Sequence, residues 1–460
     1  MDNNFVFGYN IPTKILFGCG ELKRLSTETL PGKKALIVIS SGTSMRKYGY
    51  LDKVIGLLKE NNVDAVVYDK ILPNPIKDHV MEGAAICREE NCDMIIGLGG
   101  GSSIDTAKSI AIMACNDGDY WEYVEGGIGK GLPYSKALPI IAIPTTAGTG
   151  TEADPWTVIT NLETNEKIGI GSTLTFPCLS IIDPELMVSV PPHLTAYQGF
   201  DAFFHAAEGY IANCATPISD IFALEAIRLL YKYLPVAVKD GNNLKARAKV
   251  AWASTLAGMV ESTSSCTSEH SLEHALSAYY PALPHGAGLI AISEAYFSTF
   301  IYDRTKRYMR MADVMTGRKN LNPEHFIDAL VRMQKECNVR DLKLSDWGIV
   351  KEDFPKMIED LKYQLIKENL VKENGLKVED ADIEGFAKRV AKAQFAQYGM
   401  LSVPEDVLAN YAKDILKNKQ TLQNIIDRAV EEKLAGWLKE QVELDTKEVT
   451  ADEFNKLFEE

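Results

Sequence analysis

The sequence has no CxxC pair among its eight cysteines, no apolar run approaching the ~20 residues that would span a bilayer, and no surplus of positive charge. The cysteines (Cys19, Cys87, Cys92, Cys115, Cys178, Cys214, Cys266, Cys337) are scattered, so neither a disulfide framework nor a thiolate zinc site is indicated, and most are expected to be small buried hydrophobes. Lys and Arg number 49 against 63 Asp and Glu, a net charge of -14. That balance argues against a general grip on nucleic acid or an anionic membrane, though a local basic patch for one phosphate is compatible with it. The opening Met-Asp-Asn-Asn lacks the basic stretch and apolar core of an export signal, so a cytoplasmic location is expected. Histidine is scarce, at seven residues.

What is present is enough for two large domains. A chain of 460 residues, 46% apolar and 24% charged, exceeds a single core and has the composition of a soluble globular protein. Through the first ~145 residues, apolar runs alternate with amphipathic stretches. Strands are expected at Ala35–Ser40, Ala65–Tyr68, Met94–Leu98 and Pro139–Ile143, and helices over Leu51–Lys59, Glu82–Glu89 and Ile104–Ala114. This alternation implies an α/β, Rossmann-like parallel sheet with ligands at the carboxyl ends of its strands. Phe5–Phe17, broken at Asn10-Ile11-Pro12, reads as an extended ribbon, and Val158–Ile170 as a hairpin turning near Thr164-Asn165. After Ile181-Ile182-Asp183-Pro184 the pattern becomes helical, at Ala196–Ala212, Ile221–Tyr233 and Ala246–Met259. Residues 1–184 are therefore expected to form a nucleotide-binding α/β domain and residues 185–460 an all-α domain. Ser402-Val-Pro-Glu405 and Thr450-Ala-Asp-Glu453 fit capping boxes, and the charged stretch after about residue 345 carries no chemistry that the sequence names.

Three constellations carry chemistry. Gly97-Leu-Gly99-Gly100-Gly101-Ser102-Ser103-Ile104-Asp105 follows a strand and opens a helix, where backbone N–H groups and the helix terminus favour a pyrophosphate. The spacing departs from GxGxxG, so the loop indicates phosphate more than a particular nucleotide. Pro144-Thr145-Thr146-Ala147-Gly148-Thr149-Gly150-Thr151-Glu152, also at a strand end, offers hydroxyls to a ribose, a phosphate or a carboxamide. Two such loops together point to a dinucleotide cleft. The third is Asp201 and His205, then His270, His274 and His285. Residues four apart on a helix lie about 40° apart around its axis, so Asp201 and His205 can aim at one ion, as can His270 or His274. One carboxylate and three imidazoles suit Fe²⁺, Zn²⁺, Co²⁺ or Ni²⁺ better than Ca²⁺ or Mg²⁺. His79, His193 and His325 keep a structural reading.

At these residues the chain resembles the iron-containing (group III) alcohol dehydrogenase family. Matching segments are Tyr9-Asn-Ile-Pro-Thr-Lys-Ile-Leu-Phe-Gly18, Pro73-Asn-Pro75, Gly99-Gly-Gly-Ser-Ser-Ile-Asp-Thr-Ala-Lys108, Pro144–Glu152, Gly199-Phe-Asp-Ala202 and Pro284-His-Gly286. The resemblance implies the dehydroquinate synthase-like two-domain architecture of that family. It also implies that Gly99, Gly100, Gly101 and Ser102 bind pyrophosphate, that Thr145, Thr146 and Thr149 line the nucleotide cleft, and that Asp201, His205, His270 and His285 hold the metal. By the same resemblance His274 faces the substrate without ligating and is a candidate proton relay. Asp105, at the foot of the glycine loop, is grouped with the cofactor residues. Three departures stand out: His274-Ala-Leu-Ser-Ala replaces a Pro/Gly pattern with one extra residue before His285, the chain after about residue 345 is longer than most members, and the turn Ser40-Ser41-Gly42 lacks the acid common in NAD-preferring members.

The expected activity is hydride transfer between NAD(P)(H) and a small primary alcohol or aldehyde. Fe²⁺ is the first expectation for the ion and Zn²⁺ the second. Ser40, Ser41 and Gly42, with Arg46 and Lys47 nearby, leave room for the extra phosphate of NADP(H), while NAD(H) is the alternative. A polyol dehydrogenase or a dehydroquinate-synthase-like lyase would use the same scaffold, and a catalytically idle nucleotide sensor or assembly protein is a third reading. A homodimer or larger assembly is expected, without nucleic-acid or membrane partners.

Overall fold

The computed structural model describes residues 7–319, 321–355, 380–397, 404–417 and 433. Its first half is built on a six-stranded parallel sheet of order β1-β8-β5-β4-β2-β3. The strands are β1 (Lys14–Phe17), β2 (Lys34–Ser40), β3 (Asp64–Ile71), β4 (Met94–Gly99), β5 (Ile140–Pro144) and β8 (Leu179–Ile182), and β6 (Thr157–Asn161) pairs antiparallel with β7 (Glu166–Ile170) as a separate hairpin. The intervening helices are α1 (Ser44–Lys47), α2 (Tyr50–Glu60), α3 (Lys77–Glu89) and α4 (Gly101–Met113).

Alternation along each strand sends neighbouring residues to opposite faces of the sheet. Leu36, Val38 and Ile95 pack with Val80 and Ala84 of α3 and Ala107 and Ile110 of α4. Ile37, Ile39, Ile96 and Ile143 pack with Leu51, Val54 and Leu58 of α2. Covering both faces makes the central strands continuous runs of Ile, Val and Leu, which is why the parallel sheet is legible in the sequence. The ribbon expected at 5–17 shortens to β1, which pairs with β8 at the sheet edge. Pro12 precedes it, with no N–H to offer a ladder, and Phe5 lies outside the described residues. The hairpin turns where expected, with Asn165 in the left-handed region at φ 53°.

The helical half comprises α5 (Pro192–Ile211), α6 (Pro217–Lys239), α7 (Leu244–Glu261), α8 (Ser268–Tyr279), α9 (His285–Phe300), α10 (Thr305–Thr316) and α11 (Glu324–Glu336). Its core joins Phe200, Phe203 and Phe204 of α5 to Phe297 of α9, Tyr308 of α10 and Phe326 of α11. The compact division of the chain falls between Met357 and Ile358, so residues 1–357 hold both halves together and 358–460 form a unit apart from the 184 boundary. In that second unit, α12 (Asp380–Gln397) and α13 (Glu405–Lys417) pack through Ala387 and Ala412. Of the two capping boxes, Ser402 and the whole 450–453 segment lie outside the described residues. Only Cys87, Cys92 and Cys337 are buried, so most cysteines are not the buried hydrophobes expected; Cys19, Cys178 and Cys214 are exposed. Among the described residues, no helix is long and apolar enough to cross a membrane.

Candidate metal and nucleotide site

Three adjacent strands, β2, β4 and β5, end on the same side of the sheet, with Gly99 level with Pro144. The glycine loop and the threonine loop therefore meet. A Cβ on Gly101 would lie 2.3 Å from Thr149 Cγ2, and one on Gly97 would lie 2.8 Å from Ile104 Cα, so both glycines are demanded by close approach. Gly100 and Gly101 open α4, and Ser102 Oγ donates to Pro73 O. Ser40, Ser41 and Gly42 lie at the end of neighbouring β2, where Arg46 is paired with Asp69 at 2.7 Å.

Asp105, grouped with the cofactor residues, sits on the buried stretch of α4 that the glycine loop opens. α4 is buried on every side from Ser103 to Met113, so its polar groups need internal partners. Asp105 accepts from Thr151 Oγ1 (2.7 Å) and Val158 N (3.1 Å). Lys108, fully buried, donates to Thr151 Oγ1 (2.6 Å), Asp154 O (2.9 Å), Asp154 Oδ1 (3.1 Å) and Trp156 O (2.7 Å). This network pins the chain that runs on from the threonine loop. Burial pushes the Asp154 carboxyl up to about 7 despite Lys108 beside it.

Asp201, His205 and Glu208 share one face of α5, while His270, Glu273 and His274 share one face of α8. His285 opens α9. Asp201 Oδ1 lies 3.4 Å from Nε2 of His285, 3.5 Å from Nε2 of His270 and 3.7 Å from Nε2 of His205. Asp201 Oδ1 and His270 Nε2 are buried without a hydrogen-bond partner. A buried carboxylate oxygen ringed by imidazole nitrogens and lacking a bond of its own is the arrangement a cation completes. Glu208 bonds His270 Nδ1 and Glu273 bonds His285 Nδ1. An acid on Nδ1 fixes the tautomer that leaves Nε2 free to ligate. In both pairs the acid comes from the neighbouring helix.

His274 adjoins that ring, with ligand atoms of Glu273, His274 and His285 within 4.8 Å of one another. Its imidazole centroid is 5.3 Å from that of His285 and 6.3 Å from that of His270. Burial, with Lys167 and the other imidazoles, holds it well below its ordinary value, so it is neutral near pH 7. Burial likewise takes His205 down to about 4, against the pull of Asp201. For Asp201 the opposing effects reverse: burial would raise it, but the charges of His205 and His285 hold it well below the carboxylate range. The His285 side chain keeps 23% of its surface exposed against 5% for Asp201, so the centre opens on the His285 side.

Sequence reasoning missed Glu208, Glu273, Lys108, Lys167 and Asn74. The acids had a signal, since each lies on the same helical face as a candidate ligand. Lys167, from the β6–β7 hairpin, reaches Ser277 Oγ (2.9 Å), Asn74 Oδ1 (3.2 Å) and Glu273 Oε2 (3.5 Å). Asn74 in turn donates to Pro281 O (2.8 Å) and Leu283 O (3.3 Å), tying down the segment before His285. These contacts join residues some hundred or more positions apart, and no local pattern announces them.

Comparison with known proteins matches residues 12–184 to the model "Iron-containing alcohol dehydrogenase" and residues 195–390 to "Fe-containing alcohol dehydrogenase family, C-terminal". Residues 323–458 also match "Probable trigger factor, C-terminal domain", overlapping the second. The chain is 35% identical over 361 residues to a 1,3-propanediol dehydrogenase of Klebsiella pneumoniae, covering 77% of this chain and 92% of that one. It is 34% identical over 354 residues to an NAD-dependent methanol dehydrogenase of Bacillus methanolicus, covering 75% and 90%. Among solved structures, an archaeal halo-thermophilic alcohol dehydrogenase from a Red Sea brine pool superposes with a TM-score of 0.73 at 36% identity, covering 76% of this chain and 91% of that one. The NADH-dependent butanol dehydrogenase A of Thermotoga maritima gives 0.70 at 31%, covering 78% and 90%.

Proposed function

The chain belongs to the iron-containing alcohol dehydrogenase family, and from that premise we propose that it interconverts a small primary alcohol and its aldehyde with NAD(P)(H). The observation that carries the reading is the unpartnered Asp201 Oδ1 facing three imidazole Nε2 atoms, in a chain whose two nucleotide-type loops meet at the strand ends. Asp201, His205, His270 and His285 would hold the ion, Fe²⁺ in first place in keeping with the family and Zn²⁺ in second. A bound divalent ion of this kind supplies Lewis acidity toward an alcohol or carbonyl oxygen, and the nicotinamide exchanges the hydride.

The chain's own residues do the rest. Glu208 and Glu273, each on an Nδ1 atom, favour the tautomers of His270 and His285 whose Nε2 lone pair faces the ion. Gly99, Gly100, Gly101 and Ser102 present backbone N–H groups to a pyrophosphate, and Thr145, Thr146 and Thr149 flank it with hydroxyls. Neutral His274, beside His285, takes the alcohol proton and passes it outward, or returns it in reduction. Ser40, Ser41 and Gly42 offer the adenosine ribose no carboxylate, which leaves NADP(H) acceptable as well as NAD(H). A cytoplasmic homodimer or larger assembly fits the family reading.

The test is nicotinamide absorbance with both nucleotides against short alcohols, diols and aldehydes, before and after chelation. Turnover should stop on chelation and return with Fe²⁺, while the fold stays, because the sheet half has its own core. Full activity in a rigorously metal-free preparation would defeat the proposal.

A further inference from the structure

Cys266 lies on the segment between α7 and α8, held at both ends by bonds to α5. Ser264 Oγ donates to Gly209 O at 2.8 Å, and Thr267 donates to Glu208 Oε2 through N (2.8 Å) and Oγ1 (2.7 Å). The position of the thiol is therefore set by α5, the helix that carries His205. Cys266 Sγ and one imidazole nitrogen each of His205 and His270 lie within 4.8 Å of one another. The two rings are stacked, with centroids 4.3 Å apart and planes 17° apart. Glu261, at the end of α7, adds a carboxylate, its Oε2 3.2 Å from Cys266 Sγ.

Two further observations mark this as a place for a ligand. His205 Nδ1 is buried with no hydrogen-bond partner, in a residue 9% exposed, and Glu261 Oε1 is buried with none either. His270 and His285 each have a carboxylate on Nδ1, and His205 alone of the three has nothing there. A thiolate, two imidazoles and a carboxylate form a four-ligand set whose softness suits a d¹⁰ divalent ion over Fe²⁺, Mg²⁺ or Ca²⁺. Ligand bonds of about 2.0–2.3 Å would draw these atoms together by roughly an ångström, within the reach of side-chain rotation.

We propose that Cys266, with His205, His270 and Glu261, forms a thiophilic position for Zn²⁺ or Cd²⁺ that adjoins the Asp201 centre and shares two imidazoles with it. An ion held there draws His205 and His270 away from Asp201 and His285, so thiophilic metal competes with the catalytic ion through shared ligands. On binding, the thiol proton leaves to solvent and the sulfur–metal bond forms, with no change of oxidation state. Only the competition rests on the alcohol dehydrogenase reading; the position itself does not.

The probe is Cd²⁺ alone, titrated anaerobically into the full chain stripped of metal. The wild type should develop ultraviolet thiolate-to-cadmium absorption within the first equivalents. Cys266→Ser should lack that absorption and bind Cd²⁺ more weakly, because the soft thiolate ligand is gone, while Asp201→Asn keeps it. Bound Cd²⁺ should also protect Cys266 from alkylation in the wild type, which serves if the Ser variant misfolds. No thiolate band in the wild type, a band that persists in Cys266→Ser, or unprotected Cys266 would each overturn the proposal. Metal-dependent alcohol turnover without a thiolate band would remove this inference alone; a Cys266 band in a chain whose turnover ignores metal would remove the proposed function and the competition, and leave the position.

Discussion

Replacing Glu208 with Gln tests whether the acids behind the imidazoles govern the ion. Glu208 is fully buried, and its two oxygens have different duties. Oε2 accepts from Thr267 N (2.8 Å), Thr267 Oγ1 (2.7 Å) and Glu269 N (3.1 Å), whereas Oε1 meets His270 Nδ1. Three donors on one side fix the orientation of a substituted amide, with its oxygen toward them and its NH₂ toward His270. Nδ1 must then accept, so the ring proton moves to Nε2, the atom aimed at Asp201 Oδ1. Turning the amide over would restore the tautomer but forfeit three hydrogen bonds, each worth about 0.5–1.5 kcal/mol. Either route weakens the ion, by roughly 10–100-fold, the usual effect of losing a ligand's hydrogen-bonding partner, or about 1.4–2.7 kcal/mol. The assay is elemental analysis of wild type and Glu208→Gln equilibrated in chelator-buffered Fe²⁺ and Zn²⁺ series, with circular dichroism to verify the fold. An ion affinity equal to wild type in a folded Gln variant would refute the tautomer argument.

Three other outcomes are expected. His270→Ala should purify with little metal, whereas His274→Ala should retain it and lose roughly 10²–10⁴-fold in kcat; metal analysis showing the opposite pattern would exchange their roles. Lys108→Met should lower stability by about 3 kcal/mol, the low end for breaking a buried pair, because Asp154 can take up a proton once the lysine is gone; an unchanged denaturation midpoint would show that the buried network carries no load. With no acid at the end of β2, kcat/KM with NADPH should be at least as high as with NADH, and an advantage of about tenfold for NADH would show that Asp69, by occupying Arg46, closes the turn to a 2′-phosphate.

How much of this was legible follows from how local each signal is. The parallel sheet could be read because two-sided burial writes it as unbroken apolar runs such as Leu36 to Ile39, and the helical half because Phe200, Phe203 and Phe204 return at helical spacing. Asp201 and His205 were legible for the same reason, one turn apart on one helix. The choice between His270 and His274 could not be read from spacing, since both lie on one face of α8; of the two, it is His270 whose Nδ1 meets Glu208, an acid that arrives from α5. Asp105 was legible only as part of the glycine motif; its bonds to Thr151 and Val158 are with a segment distant in sequence and had no local signal. Cys266 showed nothing in sequence, because a cysteine without a CxxC neighbour gains its meaning only when folding brings two histidines and a glutamate to it. Position after position, the ligand-bearing residue was visible from its own helix and its supporting partner was not, since that partner is supplied by a different element. Substitutions in this chain that spare every ligand but touch Glu208, Glu273, Lys167 or Asn74 should therefore impair the centre.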